Sequence, residues 1–226
     1  MSVKSRGFSI PELAICVVVL AALVALVMLA RAQRPRRGAQ RMENNTRLRG
    51  IHQGLVQYAQ SNGQAFAGLG TDPTTYPDRN FALASERYRL LLDQNLFTGE
   101  YLVSPLEAGK TIWTTGPLTT ANLSFALLDI AAGTAREKEW SHYDADTLAA
   151  IVSDRSKVID PTLRRMSVHV STKTAATNDW RGGVGWNDNH VSYEDDALVK
   201  TRYDELKTEQ DDLFAEENGD GLMRFD

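Results

Sequence analysis

The side chains that could do chemistry are spread thinly along this chain. Asp154, His169, Asp188 and His190 are residue types that bind metals or move protons, and they fall in or beside strand-like stretches with no compact ligand spacing. No His-Glu-x-x-His pair sets two imidazoles on one helix face. No Gly-x-Ser-x-Gly step raises a nucleophile at a strand-to-helix turn. Single histidines in strand patterns pack or bond turns more often than they ligate, so no catalytic residue is assigned and the chain reads as a non-enzyme. The other ionisable group in an unusual place is Glu12. It stands at the mouth of an apolar run, Leu13 to Ala30, that holds no charge, Gly or Pro. A carboxylate there is expensive in lipid and marks a function or a partner, because a buried carboxylate needs a cation.

The elements that must position Glu12 follow from the run itself. Leu13–Ala30 as a helix covers about 27 Å, and adding Phe8 to Pro11 reaches the length that crosses a bilayer. Pro11 is tolerated in a first helical turn, and the charge of Glu12 is favoured there by the unpaired N–H groups. The residues alone leave three readings open: a spanning helix with a function for Glu12, a plain anchor, and a secretory signal with Ala30-Arg31-Ala32 as a loose cleavage match.

The string Arg6-Gly7-Phe8-Ser9-Ile10-Pro11-Glu12-Leu13 resembles the class III signal of type IV pilins and type II secretion pseudopilins. The resemblance implies that a prepilin peptidase cuts between Gly7 and Phe8 and methylates the new Phe8 amine. It implies that Glu12 pairs with the N-terminal amine of a neighbouring subunit during assembly. Pro11 replaces the family's usual aliphatic residue, and the proline common late in the pilin apolar helix is missing. A second series is similar to the C-terminal region of the large planctomycete-type pseudopilin-like proteins. It runs through Ser153-Asp154-Arg155, Ser167-Val168-His169 and Gly182-Gly183-Val184-Gly185-Trp186-Asn187-Asp188-Asn189-His190-Val191, with Asn189 where that family has Gly. Major pseudopilins of type II secretion bind calcium in a C-terminal loop. By that resemblance the calcium candidates here are Asp179, Asn187 and Asp188, or Asn218 and Asp220, since calcium takes carboxylate and carbonyl oxygens. An exposed acidic stretch is the plainer account of the last two.

Charge is segregated. Before Gly50 there are nine Lys or Arg and two Glu; from Gly50 onward there are sixteen basic and twenty-seven acidic residues. A basic neck on an acidic body suits an anionic membrane surface better than nucleic acid. Trp113, Phe125, Trp140, Trp180 and Trp186 are therefore read as core aromatics, not as a nucleic-acid platform. Arg31, Arg34, Arg36 and Arg37 are the candidates for contact with lipid phosphates, or a stop-transfer flank. Together with Arg41 they outweigh Lys4 and Arg6, so the positive-inside rule would hold the body in the cytoplasm. The resemblance puts it outside, and that placement is adopted. The only cysteine, Cys16, lies inside the apolar run, so no intrachain disulfide can form.

Beyond the apolar run, Leu48, Ile51, Leu55, Val56, Tyr58 and Ala59 recur at spacings of three and four. One helix is expected from about Ser9 to Ser61, interrupted near Pro35 and ended by Asn62-Gly63. Ala65–Asn80 reads as loop and Ser85–Asn95 as helix. Gln94–Pro105 reads as a short helix leading into a strand. Strands are expected within Thr119–Ile130, Ala149–Asp154 and Arg165–Ser171, and a hairpin over Trp180–Tyr193 turning on Asp188-Asn189. Glu194–Asp226, with twelve acidic and four basic residues and Leu198, Tyr203, Leu206, Leu213 and Phe214 as scattered anchors, reads as a partly ordered acidic tail with a strand or short helix.

The expected fold class is α+β and pilin-like. A long N-terminal helix, transmembrane then amphipathic, packs on a small antiparallel β-sheet. The segments are a leader (1–7), a transmembrane helix (8–30), its amphipathic continuation (31–63), a globular head (64–193) and the tail (194–226). The resemblance implies a filament subunit of a type IV pilus or type II secretion pseudopilus. Its partners would be prepilin peptidase, copies of itself or other pilin-like subunits, an inner-membrane assembly platform and the lipid bilayer. It would sit in the inner membrane as a single-pass protein, head on the periplasmic or extracellular side, before entering the filament. A membrane-tethered, non-polymerising surface or periplasmic binding module is the alternative.

Overall fold

The computed structural model describes residues 10–69, 71, 74–158, 165–167, 180–215 and 221–225; for 12, 29–37, 158 and 165–167 the backbone alone is described. Two compact units divide the chain, Met1–Arg41 and Met42–Asp226. Helix α1 (Ile10–Ser61) contributes to both. Its helical assignment runs through Pro35, where the sequence led us to expect an interruption.

In the first unit every described side chain from Leu13 to Met28 is exposed on all faces of the helix, Leu20 at 66% and Val24 at 50%. Among the described residues no helix is long and apolar enough to cross a membrane.

The second unit is α+β, with helices and a five-stranded antiparallel sheet. Asn44, Leu48, Ile51, Leu55 and Tyr58 form a buried stripe on α1, while Arg49, Gln53, Gln57 and Gln60 face water. Steps of four and three residues keep that stripe on one side of a 3.6-residue helix. The helix stops at Gly63, whose φ of +66° is the left-handed cap, and Gln64 N–H closes onto the Ala59 carbonyl at 2.9 Å.

The sheet is built from β1 (Phe125–Leu128), β2 (Ala150–Asp154), β5 (Gly182–Trp186), β6 (Val191–Glu194) and β9 (Met223–Arg224), ordered β6-β5-β2-β1-β9. β1, β2 and β5 are buried at every position, so their apolar runs do not alternate. Gly183 of β5 serves the helix. A Cβ on Gly183 would sit 2.6 Å from Leu48 Cδ1, so the bare backbone there leaves room for the Leu48 side chain of α1 against the sheet. Asp154 at the end of β2 fixes the contact. It is fully buried, accepts both hydrogen bonds from Asn44 Nδ2 at 3.0 Å, and accepts the Gly183 N–H at 2.6 Å.

Several local expectations change. The β5–β6 connection spans the four residues 187–190, closed by Trp186 N–H to His190 O at 3.0 Å, and Asn189 takes φ +67°. Gly99–Leu102 is a single 3₁₀ turn with no strand after it. The polar stretch before Ser141 is helix α3 (Ala135–Ser141), started by Thr134, whose hydroxyl accepts the Glu137 N–H at 3.2 Å. Helix α2 (Ala84–Asp93) begins one residue before the expected Ser85. Short strands β3 (Ser156–Val158) and β4 (Arg165–Ser167) pair; the rest of the expected strand to Ser171 lies outside the described residues.

The acidic stretch holds more strand than the one strand or short helix expected of it. Residues 194–226 include hairpin β7 (Leu198–Tyr203) and β8 (Leu206–Asp212), then β9 at the sheet edge. Val199, Thr201 and Tyr203 point inward and Leu198, Lys200 and Arg202 outward. That alternation buries one face and leaves charge on the other. Leu213 and Tyr203 are fully buried, and Met223 lies in the core beside β1.

Candidate functional site

Among the described residues, one group of three carboxylates lies close together in the second unit, beside the β5–β6 turn. α3 is held there by Trp140, which is fully buried, donates from Nε1 to Ala67 O at 3.0 Å and packs edge-on against Phe66. The next position on that helix, back toward its start, is Glu139, 3% exposed. The chain then turns through Asp144 and Asp146. Asp144 Oδ1 accepts the Asp146 N–H at 3.0 Å, and Asp146 Oδ1 accepts the Leu148 N–H at 2.8 Å, two Asx turns that aim both carboxylates at Glu139. Carboxylate oxygens of Glu139, Asp144 and Asp146 lie within 4.8 Å of one another, an arrangement that could hold a metal ion.

Neighbouring donors answer this negative charge in part. Arg202 Nε on β7 donates to Asp146 Oδ2 at 2.6 Å. Asn187 Nδ2 donates to Glu139 Oε1 at 2.6 Å and to Asp144 Oδ1 at 3.3 Å. The Asp204 N–H lies 3.4 Å from Glu139 Oε2. Burial raises the Glu139 pKa to about 7, with the charges of Asp144 and Asp146 adding to it against the Asn187 bond. Near neutrality Glu139 is therefore poised between a proton and a charge that another cation could answer.

Behind Asn187 stands His52 of α1, 1% exposed, its Nε2 3.4 Å from Asn187 Oδ1 and its ring against Phe66 and Tyr143. Burial lowers the His52 pKa below 6.5, so the neutral ring is the form that fits.

Of the sequence-derived calcium candidates, Asn187 reaches this cluster, but with its amide nitrogen toward the carboxylates and its oxygen toward His52. In that orientation it is not a ligand. Asp188 is turned away and pairs with His190, which stacks on Trp186. Asp179, Asn218 and Asp220 lie outside the described residues, as do Gly7, Phe8 and His169. Glu12, Arg31, Arg34, Arg36 and Arg37 fall within the span of α1.

Sequence reasoning missed Glu139, Asp144 and Asp146. The usable signal was local: an Asp-x-Asp pair, the spacing of successive Asx turns, just after a short charged helix that buries one tryptophan. Asp154, weighed above as a metal or proton residue, is instead the anchor between α1 and β5. No family model, curated protein or solved structure matches the chain.

Proposed function

We propose that this chain is a structural subunit of a type IV pilus-like or type II secretion pseudopilus filament, processed at Gly7-Phe8 and assembled through its N-terminal helix. One observation carries the reading: α1 exposes an unbroken apolar surface from Leu13 to Met28, then turns amphipathic and packs its second half on an antiparallel sheet. Covering a Leu, Ile, Val or Met side chain is worth about 1.5–3 kcal/mol. Summed over the run, that exceeds the roughly 5–15 kcal/mol that typically holds a domain together. A surface of that size needs a bilayer or neighbouring helices. Glu12 selects neighbouring helices, because a carboxylate at the mouth of an apolar helix is costly in lipid and a free amine on the next helix offsets that cost. Helix packing supplies most of the assembly energy; the ion pair sets register.

The cation reading belongs to the same proposal. Calcium suits the hard oxygens of Glu139, Asp144 and Asp146, with carbonyls or water completing the roughly six to eight ligands it takes. Bound there, it would tie α3 to the loop before β2 and stiffen the head.

The test is Glu12→Ala in cells carrying a prepilin peptidase and an assembly platform. Cleavage before Phe8 should persist and incorporation into filaments should fail. Equal incorporation, or a mature protein starting at Met1 or near Ala32, overturns the reading. The competing role, a tethered module that never polymerises, shares the Arg31–Arg41 flank and predicts no filament from either protein.

A further inference from the structure

We draw no further inference here: the strongest candidate, the carboxylate cluster of Glu139, Asp144 and Asp146 beside the β5–β6 turn, belongs to the site already described and has no second feature beside it that points to a ligand.

Discussion

Replacing Glu139 with glutamine tests the electrostatics of the second unit directly. The carboxyl titrates near 7 in the folded chain against 4.5 when exposed. At about 1.36 kcal/mol per pKa unit the charged form is disfavoured by about 3 kcal/mol. Because the folded value is the higher one, the stabilisation from the protonated form is complete below pH 4.5 and lost as pH rises through about 7. A glutamine side chain in its place would keep one carbonyl for Asn187 Nδ2 and give up only the 3.4 Å contact from the Asp204 N–H. Glu139→Gln should therefore match wild type at about pH 4.5 and exceed it by about 2–3 kcal/mol at about pH 8. For a unit of this size that is roughly 4–12 °C in melting temperature. The measurement is thermal or urea unfolding of the full chain in detergent at pH 4.5, 6 and 8 with a chelator present. Millimolar calcium should shrink or reverse the gap at pH 8, since a cation stabilises only the ionised cluster. Parallel pH curves for the two proteins would refute the raised pKa; a gap indifferent to calcium would refute the cation reading while leaving the titration intact.

Asn44→Ala removes both donors that α1 gives to buried Asp154 and should cost about 2–4 kcal/mol in urea unfolding; a loss under about 0.5 kcal/mol would mean the carboxylate is served without it. Gly183→Val places a branched side chain where Leu48 Cδ1 lies 2.6 Å from the first carbon and should cost about 1–3 kcal/mol, with Gly183→Ala costing less. An unchanged midpoint for the valine variant would show that α1 can back away from the sheet freely. His52 titrates below its ordinary 6.5, so its contribution is complete above pH 6.5 and lost as pH falls from there. His52→Gln should flatten the acid limb of the stability curve below pH 6.5, and an identical limb would remove His52 as its cause.

What could be read beforehand depended on how locally each element is determined. The buried stripe from Leu48 to Ala59 was legible because helix periodicity writes itself into sequence, and Asn62-Gly63 marked its end by backbone chemistry alone. The strand around Phe125 was legible by its partial alternation, that around Ile151 as a short core run, and that around Val184 by the hairpin turn at Asp188-Asn189. α3 was not: Arg136, Glu137, Lys138 and Glu139 look like a solvated turn until Trp140 is seen inserted against Phe66. The hairpin of β7 and β8 was obscured by its acid content. β7 alternates, but β8 does not, and its one buried position is Asp211, whose carboxylate accepts from Thr201 Oγ1 and the Gly221 N–H. The carboxylate cluster draws on α3, the following loop, the β5–β6 turn and β7, and no spacing rule on one stretch could bring Glu139 to Asn187.

The pairing of Leu128 with Met223 fixes a timetable for the head. β1 leaves one side bare until a strand made almost a hundred residues later arrives, and contacts of such separation form slowly. During synthesis the half-built sheet would show one edge of apolar Phe125–Leu128 to its surroundings. Chaperone capture, or loss to proteolysis, should therefore fall on chains that end before Met223 and ease once Met223 and Arg224 are in place.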